Sequence, residues 1–262
     1  MLAELFFWPA LLAYGEAAVA YAGNVRRPGL YGRLATWGVR LGWLAQTALL
    51  VVQAARADGF PWDTWAGSLN LFVWLVVAAY LIWGCQARYR LLGLAVMPLA
   101  VLLFGLARAG GGTGAGGETH LSNVFLVLHV GLVLAGFAGL TLATALSALY
   151  LWQERRLKRR EAGILRLRAP SLAALDSLAA RTIAVALPVL TLGIAIGLVR
   201  LLQEGRFDAL MAVTLLAWLV YSAFLVLRFG AGWRGRRAAY VTFAGFALVV
   251  VAWLAVPIGH FA

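Results

Sequence analysis

The stretch LSNVFLVLHVGLVLAGFAGLTLATALSALYLWQERRLKRR, residues 121–160, decides the fold of this chain. From Leu121 to Trp152 it is uncharged and mostly apolar for 32 residues, whereas a helix needs only about 20 residues to cross a membrane core of about 30 Å. Basic residues follow at 155–160. This pattern predicts a transmembrane helix that is anchored at its basic end and projects beyond the bilayer at the other end.

The rest of the chain has the same character. Of its 262 residues, 63% are apolar and 12% are charged, against about 45–50% and about 25% in soluble domains. We therefore exclude a soluble globular protein and predict an all-α, polytopic membrane helix bundle that forms a single integral membrane domain over residues 1–262. The expected transmembrane spans, eight in number, are 5–22, 35–54, 67–85, 91–107, 121–152, 182–202, 209–228 and 238–258.

Basic residues are concentrated in alternate connections between these spans. Sixteen of the 22 lysines and arginines lie in the connections 24–34, 86–90, 154–168 and 228–237. By the positive-inside rule these four connections are cytoplasmic and both chain termini are on the outer side. We expect a multi-pass protein of the bacterial cytoplasmic (inner) membrane, whose basic runs contact anionic membrane lipid and not nucleic acid.

Several kinds of chemical site are excluded by the sequence. The chain has one cysteine, Cys85, so it has neither a C-x-x-C redox pair nor a C-x-x-C-H haem attachment site. The glycine-rich segment 110–117 has no following Lys-Ser/Thr and is not a phosphate-binding loop. The titratable groups of interest are therefore three histidines and Glu16, an acidic residue inside a predicted span.

Two histidines are predicted to reach the same height above the outer face. His129 lies 23 residues from Trp152, about 35 Å along a helix. His260 also lies 23 residues from an inner anchor, Arg237 of the last helix. Such imidazoles could hold a flat metal complex of iron, zinc or copper, although interfacial histidines also occur as polar end residues without a ligand. His120 would face the opposite side of a continuous helix from His129 and is the poorer partner.

Around these positions the sequence resembles the cytochrome c assembly protein family, of the CcsA, ResC and HemX type. The family's L-x-S-x-W-L-x-x-H-V motif is similar to LSNVFLVLHV at residues 121–130. Its G-W-R-G-x-R-A-A-Y segment is similar to GWRGRRAAY at residues 232–240, and a terminal histidine, here His260, follows. Its G-W-L-x-H-T and P-L-S-N-x-Y-E-S-L-x-F-F segments resemble residues 41–47 and 60–72. The segments occur in the same order, so the resemblance extends from about residue 35 to the C-terminus.

The resemblance implies a haem site. Members of the family hold haem between two outer histidines, which match His129 and His260, and between two histidines inside the membrane. It therefore implies that His129 and His260 are axial ligands of one b-type haem, bound non-covalently, either stably or in transit. The two membrane histidines are replaced here by Gln46 and Val226. Since valine cannot ligate iron and glutamine is a poor ligand, we expect no haem site within the bilayer.

The family's tryptophan-rich loop is reduced in this sequence. When W-D-P-K-E-T-W is compared without gaps, its first two positions match Phe207 and Asp208. Together with Trp62 and Trp65 in another outer connection, these residues are expected to contact the haem, the aromatic rings flanking the porphyrin as apolar walls. Aromatic residues also line most membrane interfaces without any ligand. The reduced motif puts presentation of haem to apocytochrome c in question.

Three functions are consistent with these residues. The first is a haem-binding assembly protein, not itself an enzyme but at most a haem-delivery or assembly subunit, whose partner is a cytochrome c maturation or haem-biosynthesis protein. The second is a HemX-like regulatory or scaffold membrane protein with a degenerate haem site. The third is a small-ion transporter built on Glu16, although that carboxylate is expected to pair with Arg40 at similar depth on the next helix.

Overall fold

The chain is helical throughout the part that the structure describes. The structure is a computed structural model and describes residues 2–26, 29–57, 62, 64–84, 87–114, 124–160, 170–204 and 209–259. Within these residues there are eight α-helices, one short 3₁₀ helix at Ala87–Leu92 and no β-strand, which confirms the predicted all-α fold. The α-helices are α1 (Leu2–Arg26), α2 (Leu30–Arg56), α3 (Trp65–Gly84), α4 (Gly93–Ala109), α5 (Val124–Lys158), α6 (Leu172–Glu204), α7 (Ala209–Gly230) and α8 (Arg236–Gly259).

Seven of these eight helices are long and apolar enough to cross a membrane. The exception is α2, because arginines and two glutamines, Gln46 and Gln53, interrupt its apolar sequence. Large apolar side chains such as Leu12, Val185 and Val226 are exposed on the helix surfaces, as is expected where lipid tails are the solvent. The protein is therefore a polytopic membrane helix bundle. The side of the membrane on which its termini lie is still a prediction.

Two helices differ from the predicted spans by more than five residues at one end. Helix α5 continues to Lys158 instead of ending at 152, because part of the basic run is itself helical. Helix α6 begins at Leu172, so the predicted start at 182 is wrong and Arg181 lies inside the helix. The hydroxyl of Ser171 caps this end by accepting a hydrogen bond from the Ala174 amide at 3.2 Å.

The helices group into two compact units. Helices α1–α4 form the first unit, in which α1 packs on α2 and α4, and α3 packs on the same two helices. Helices α5–α8 form the second unit, in which α5 packs on α6 and α8, and α7 packs on the same two helices. The expectation of one domain over residues 1–262 is not tested by this grouping.

Glycines allow α1 and α2 to approach closely in the first unit. A Cβ atom added at Gly38 would lie 3.0 Å from the carbonyl oxygen of Ala13. One added at Gly42 would lie 2.6 Å from the ring of Tyr14. This G-x-x-x-G spacing is typical of close helix contacts in membranes. Arg40, two residues from each glycine along α2, consequently points away from α1.

The predicted pair between Glu16 and Arg40 is therefore wrong. Both side chains are exposed, and the ion pairs among the described residues do not include one between them. The Arg40 guanidinium instead lies over the ring of Trp37, 5.4 Å from its centroid. An exposed carboxylate on the outside of the unit is not a buried ion site, so the transporter hypothesis loses the residue on which it rested.

Candidate functional site

His129 lies in the second unit, where α5 packs against α6. Its imidazole is half-buried, and Nδ1 is 2.7 Å from the carbonyl oxygen of Gly193. Because a carbonyl oxygen can only accept, Nδ1 carries the proton and donates it in this hydrogen bond. The lone pair of the neutral ring is then on Nε2. Metal-binding histidines commonly donate their other N–H to a carbonyl in this way, which fixes the tautomer and the orientation of the ring.

Two glycines of α6 provide the space for this imidazole. A Cβ atom added at Gly197 would overlap the ring of His129 and lie 2.8 Å from its Nδ1. One added at Gly193 would lie 2.9 Å from Cγ2 of Val133 on α5. The two glycines are one helical turn apart and share the face that is turned to α5. Neither is among the predicted site residues, although their G-x-x-x-G spacing is a sequence signal for a close helix contact.

The donor set around His129 suits a haem better than a metal held by protein ligands alone. Among the described residues there is no group of three or more histidine, cysteine, aspartate or glutamate side chains that could share a metal ion. Haem iron takes most of its ligands from the porphyrin and needs only one or two axial ligands from the protein. A single imidazole with a fixed tautomer is therefore sufficient for one side of a haem.

Three of the predicted site residues, His260, Phe207 and Asp208, lie outside the described residues. The same is true of His120, the predicted non-ligand. The structure therefore brings His129 into a suitable setting but does not test its pairing with His260.

The two tryptophans of the predicted site belong to the first unit. The indole N–H of Trp62 donates to Oε1 of Gln53 at 3.1 Å, and its backbone carbonyl accepts from the Ser68 hydroxyl at 2.7 Å. Trp65 begins α3 and packs near Gly110, where an added Cβ would lie 3.2 Å from its ring. Both tryptophans therefore have structural contacts within the first unit. Contact of either with haem is untested.

The Trp62 contact is part of a buried polar network that joins α1, α2, α3 and the turn after α4. The Tyr14 hydroxyl donates to Oε1 of Gln46 at 2.8 Å. Nε2 of Gln46 donates to Oδ1 and the backbone oxygen of Asn70 at 2.9 and 3.1 Å. Nδ2 of Asn70 donates to Oε1 of Gln53 at 3.0 Å. Nε2 of Gln53 donates to two carbonyl oxygens of the 112–114 turn at 3.1 and 2.7 Å, so the network reaches from the helices to the turn.

Gln46 stands at the position of the first membrane histidine in the family that the sequence resembles. Its side chain is fully buried, its carbonyl accepts from Tyr14 and its amide nitrogen donates to Asn70. A buried amide whose polar atoms are satisfied by protein partners is a structural element and not a spare metal ligand. Val226, at the second position, is 70% exposed on α7. Both observations favour the absence of a haem site at these two residues.

The most specific sequence motif, GWRGRRAAY at residues 232–240, spans the end of the connection from α7 to α8 and the first residues of α8. Arg228 at the end of α7 pairs with Asp176 of α6 at 2.7 Å, and the two side chains are only 10% and 12% exposed. Arg228 also donates to the carbonyl oxygen of Trp233 at 3.1 Å. The backbone amide of Gly235 donates to Oδ1 of Asp176 at 2.9 Å. One buried carboxylate thus holds the connection against α6.

Two glycines of this motif are required by the backbone. Gly232 and Gly235 have φ angles of 67° and 68°, in the left-handed region that residues with a Cβ atom rarely adopt. At Gly235 an added Cβ would also lie 2.9 Å from the Tyr150 hydroxyl. The motif is therefore a structural turn that joins α7 and α8 and docks them on α5 and α6.

Comparison with known proteins connects this arrangement to one family. The family model described as "Cytochrome C assembly protein" matches residues 62–260. "Cytochrome c biogenesis protein CcsA" of Prochlorococcus marinus (strain MIT 9303) is 29% identical over an alignment of length 256, gaps included, which covers 83% of this chain and 79% of that protein. The protein of the same name from Mesostigma viride is 25% identical over an alignment of length 274, gaps included, which covers 94% of this chain and 88% of that protein.

A solved structure of "Cytochrome c Heme Lyase CcmF" has the same fold. The TM-score is 0.67 over 99% of this chain, at 21% sequence identity. This chain corresponds to 46% of the length of that chain, so it spans about half of the larger protein. At this level of identity the likeness concerns the fold alone.

Proposed function

Since this chain belongs to the cytochrome c assembly protein family, we propose that it holds one b-type haem, non-covalently, between His129 and His260. The haem lies at the outer face of the bacterial cytoplasmic membrane. The observation that carries this proposal is the hydrogen bond from Nδ1 of His129 to the Gly193 carbonyl, because it fixes the tautomer in which the proton is on Nδ1 and the lone pair, the form that ligates iron, is on Nε2. His260 would supply the second imidazole that holds the haem iron.

The contribution of this chain is binding and orientation. The two neutral imidazoles would hold the iron, and the hydrogen bond to Gly193 keeps the His129 ring in one orientation. In this proposal Phe207, with Asp208 beside it in the sequence, would flank the haem as an apolar wall. Contacts of Trp62 and Trp65 with the haem stay a prediction. When bound, haem supplies the redox-active iron that a cytochrome requires.

The step that follows haem binding belongs to another protein in this proposal. Only part of the tryptophan-rich motif is present, at Phe207 and Asp208, so this chain is a delivery or assembly subunit and not itself an enzyme. Its partner is a protein of cytochrome c maturation or of haem biosynthesis. A HemX-like scaffold with a degenerate haem site is the outcome that remains if the histidines prove not to bind haem.

Replacing Gly197 with alanine is expected to weaken haem binding about 10- to 100-fold, the usual effect of disturbing a group that orients a metal ligand. The added methyl group overlaps the His129 ring, which must then leave its hydrogen bond to Gly193. Titration of the purified protein with haem, followed by absorbance, measures the effect. Gly131→Ala is the matched control on α5, because nothing lies within 4 Å of a Cβ atom there. Equal affinities of the two variants would contradict the role of Gly197.

Bound haem is expected not to exceed one per chain, and Gln46→Leu is expected to leave that ratio unchanged. Leucine removes the partner of the Tyr14 hydroxyl and of Asn70, which lowers the free energy of unfolding by about 1–3 kcal/mol. The haem-to-protein ratio and a thermal unfolding curve of the same sample measure both effects. A ratio near two, or a fall in bound haem in the Gln46 variant, would show that a haem site exists within the membrane.

A further inference from the structure

A groove on the second unit lies between the basic end of α5 and the first turns of α8. Its α5 side is lined by Ala148, Leu151, Trp152, Arg155, Arg156 and Arg159, and its α8 side by Phe243. We call it the α5–α8 groove. Its volume is about 500 Å³, within the range of about 300–1,000 Å³ that is common for small-molecule sites.

The α5–α8 groove changes character along its length. Its α5 residues are spaced mainly by three or four positions, so they form one stripe along the helix. Over about 16 Å, at 1.5 Å per residue, the stripe changes from apolar at Ala148 and Leu151 to cationic at Arg155 and Arg159. Phe243 adds a second apolar wall. The groove therefore has one apolar end and one cationic end.

The cationic end is not neutralised by the neighbouring acidic residue. The Glu154 carboxylate is occupied by Lys158 at 2.7 Å and by Arg236 at 3.6 Å. Among the described residues the ion pairs include none for Arg155 or Arg159. Both arginines are exposed, so their positive charge is available to an anion.

We propose that the α5–α8 groove binds an acidic phospholipid, with the headgroup phosphate at the arginines and an acyl chain along the apolar end. Guanidinium groups bind phosphate oxygens well because of their planar, multiple donors. Arg156 is positioned for this by stacking on Trp152, with its guanidinium carbon 4.4 Å from the ring centroid. The apolar end lies within Val127–Lys158, a segment long and apolar enough to cross a membrane. A soluble anion would use only the cationic end, whereas a phospholipid matches both.

The proposal is tested by titrating the purified full chain in detergent with phosphatidylglycerol or phosphatidylcholine and counting bound lipids by native mass spectrometry. Saturable binding of phosphatidylglycerol is expected, about tenfold or more tighter than that of the zwitterionic phosphatidylcholine. The double variant Arg155→Gln/Arg159→Gln is expected to bind phosphatidylglycerol about 30-fold more weakly, since each basic residue near an anionic lipid contributes a factor of about five. The charge-matched control Arg56→Gln/Arg181→Gln alters exposed arginines that lie outside the groove and outside the four basic connections, and it should stay within about twofold of the unaltered chain.

A third variant, Ala148→Trp, tests whether the occupant has an acyl chain. It fills the apolar end and keeps the arginines, so phosphatidylglycerol binding is expected to fall about tenfold, the contribution of about two buried methylene groups. Inorganic phosphate, added as a competitor, should displace little lipid. Equal binding of the two lipids, or equal affinities of the two double variants, would overturn the proposal. If inorganic phosphate displaced the bound lipid efficiently and Ala148→Trp bound phosphatidylglycerol as tightly as the unaltered chain, the groove would be a site for a free anion and the proposal would be overturned.

Discussion

Alanine in place of His129 is expected to lower the haem content of the purified protein to less than about a tenth of the unaltered value. The change removes one proposed axial ligand, whereas even a disturbed ligand environment costs about 10- to 100-fold in metal affinity. The fold should survive, because the imidazole is only half-buried and its hydrogen bond to Gly193 is worth about 1 kcal/mol. Haem content and the absorption spectrum measure the effect, and a thermal unfolding curve checks the fold.

The other two histidines provide the comparison for this result. His260→Ala is expected to lower haem content as His129→Ala does, because it removes the second proposed ligand. His120→Ala is the matched control and should leave both the content and the spectrum unchanged. Imidazole added to the His129→Ala protein is expected to restore part of the six-coordinate spectrum, which a protein that had merely misfolded would not show. If His129→Ala and His260→Ala each kept full haem, the HemX-like scaffold would be the better interpretation.

Alanine in place of Asp176 is expected to lower the free energy of unfolding by about 3–5 kcal/mol, the usual cost of removing one partner of a buried ion pair. Arg228 would be left nearly buried without its carboxylate, and the amide of Gly235 would lose its acceptor. Because this carboxylate holds the α7–α8 connection against α6, the second unit should open at a lower temperature. Thermal unfolding in detergent, followed by circular dichroism, measures the change.

An exposed ion pair in the same unit is the control for this prediction. Lys158 pairs with Glu154 one turn earlier on α5, and its side chain is 61% exposed. Lys158→Gln is therefore expected to cost less than about 1 kcal/mol, as exposed pairs do. If the free energies of unfolding of Asp176→Ala and Lys158→Gln agreed within about 1 kcal/mol, the α7–α8 connection would not depend on the buried pair of Asp176 with Arg228.

Most helices are predictable from the sequence because seven of the eight are long apolar runs, but some of their ends are not. The beginning of α6 shows the reason. The predicted span starts after the charged Arg181. The helix itself begins just after Pro170 and Ser171, and Ser171 caps its N-terminus. An apolar run indicates which residues contact lipid or the protein core. Capping residues indicate where the backbone hydrogen bonds of the helix begin and end.

The polar contacts between helices could be predicted only in part. Gln46 and Gln53 lie seven residues apart on α2 and therefore share a face, which is a signal for a buried polar seam. Their partner Asn70 and the turn carbonyls come from other parts of the chain, and no local pattern specifies that pairing. The wrong pair of Glu16 with Arg40 has the same origin. The sequence predicts that Glu16 and Arg40 lie at equal depth on neighbouring helices. Whether they meet depends on Gly38 and Gly42, which face α1 and so turn Arg40 away from it.

The candidate site, too, is predictable only in part. His129 was predicted from its distance to the basic anchor and from the family resemblance, and the structure adds the orientation of its ring. That orientation depends on Gly193 and Gly197 of a different helix, whose positions relative to His129 follow only from the packing of α5 on α6. The GWRGRRAAY motif at residues 232–240, which carried the resemblance most specifically, proved to be a turn held by a buried ion pair.

The most direct test of the central proposal is a titration of the purified, haem-free chain with haem, followed by absorption and electron paramagnetic resonance spectra. The proposal predicts saturation at one haem per chain and a low-spin, six-coordinate iron with two imidazole ligands, which His260→Ala converts to a five-coordinate species. No saturable binding, or a spectrum that is the same with and without His260, would contradict it.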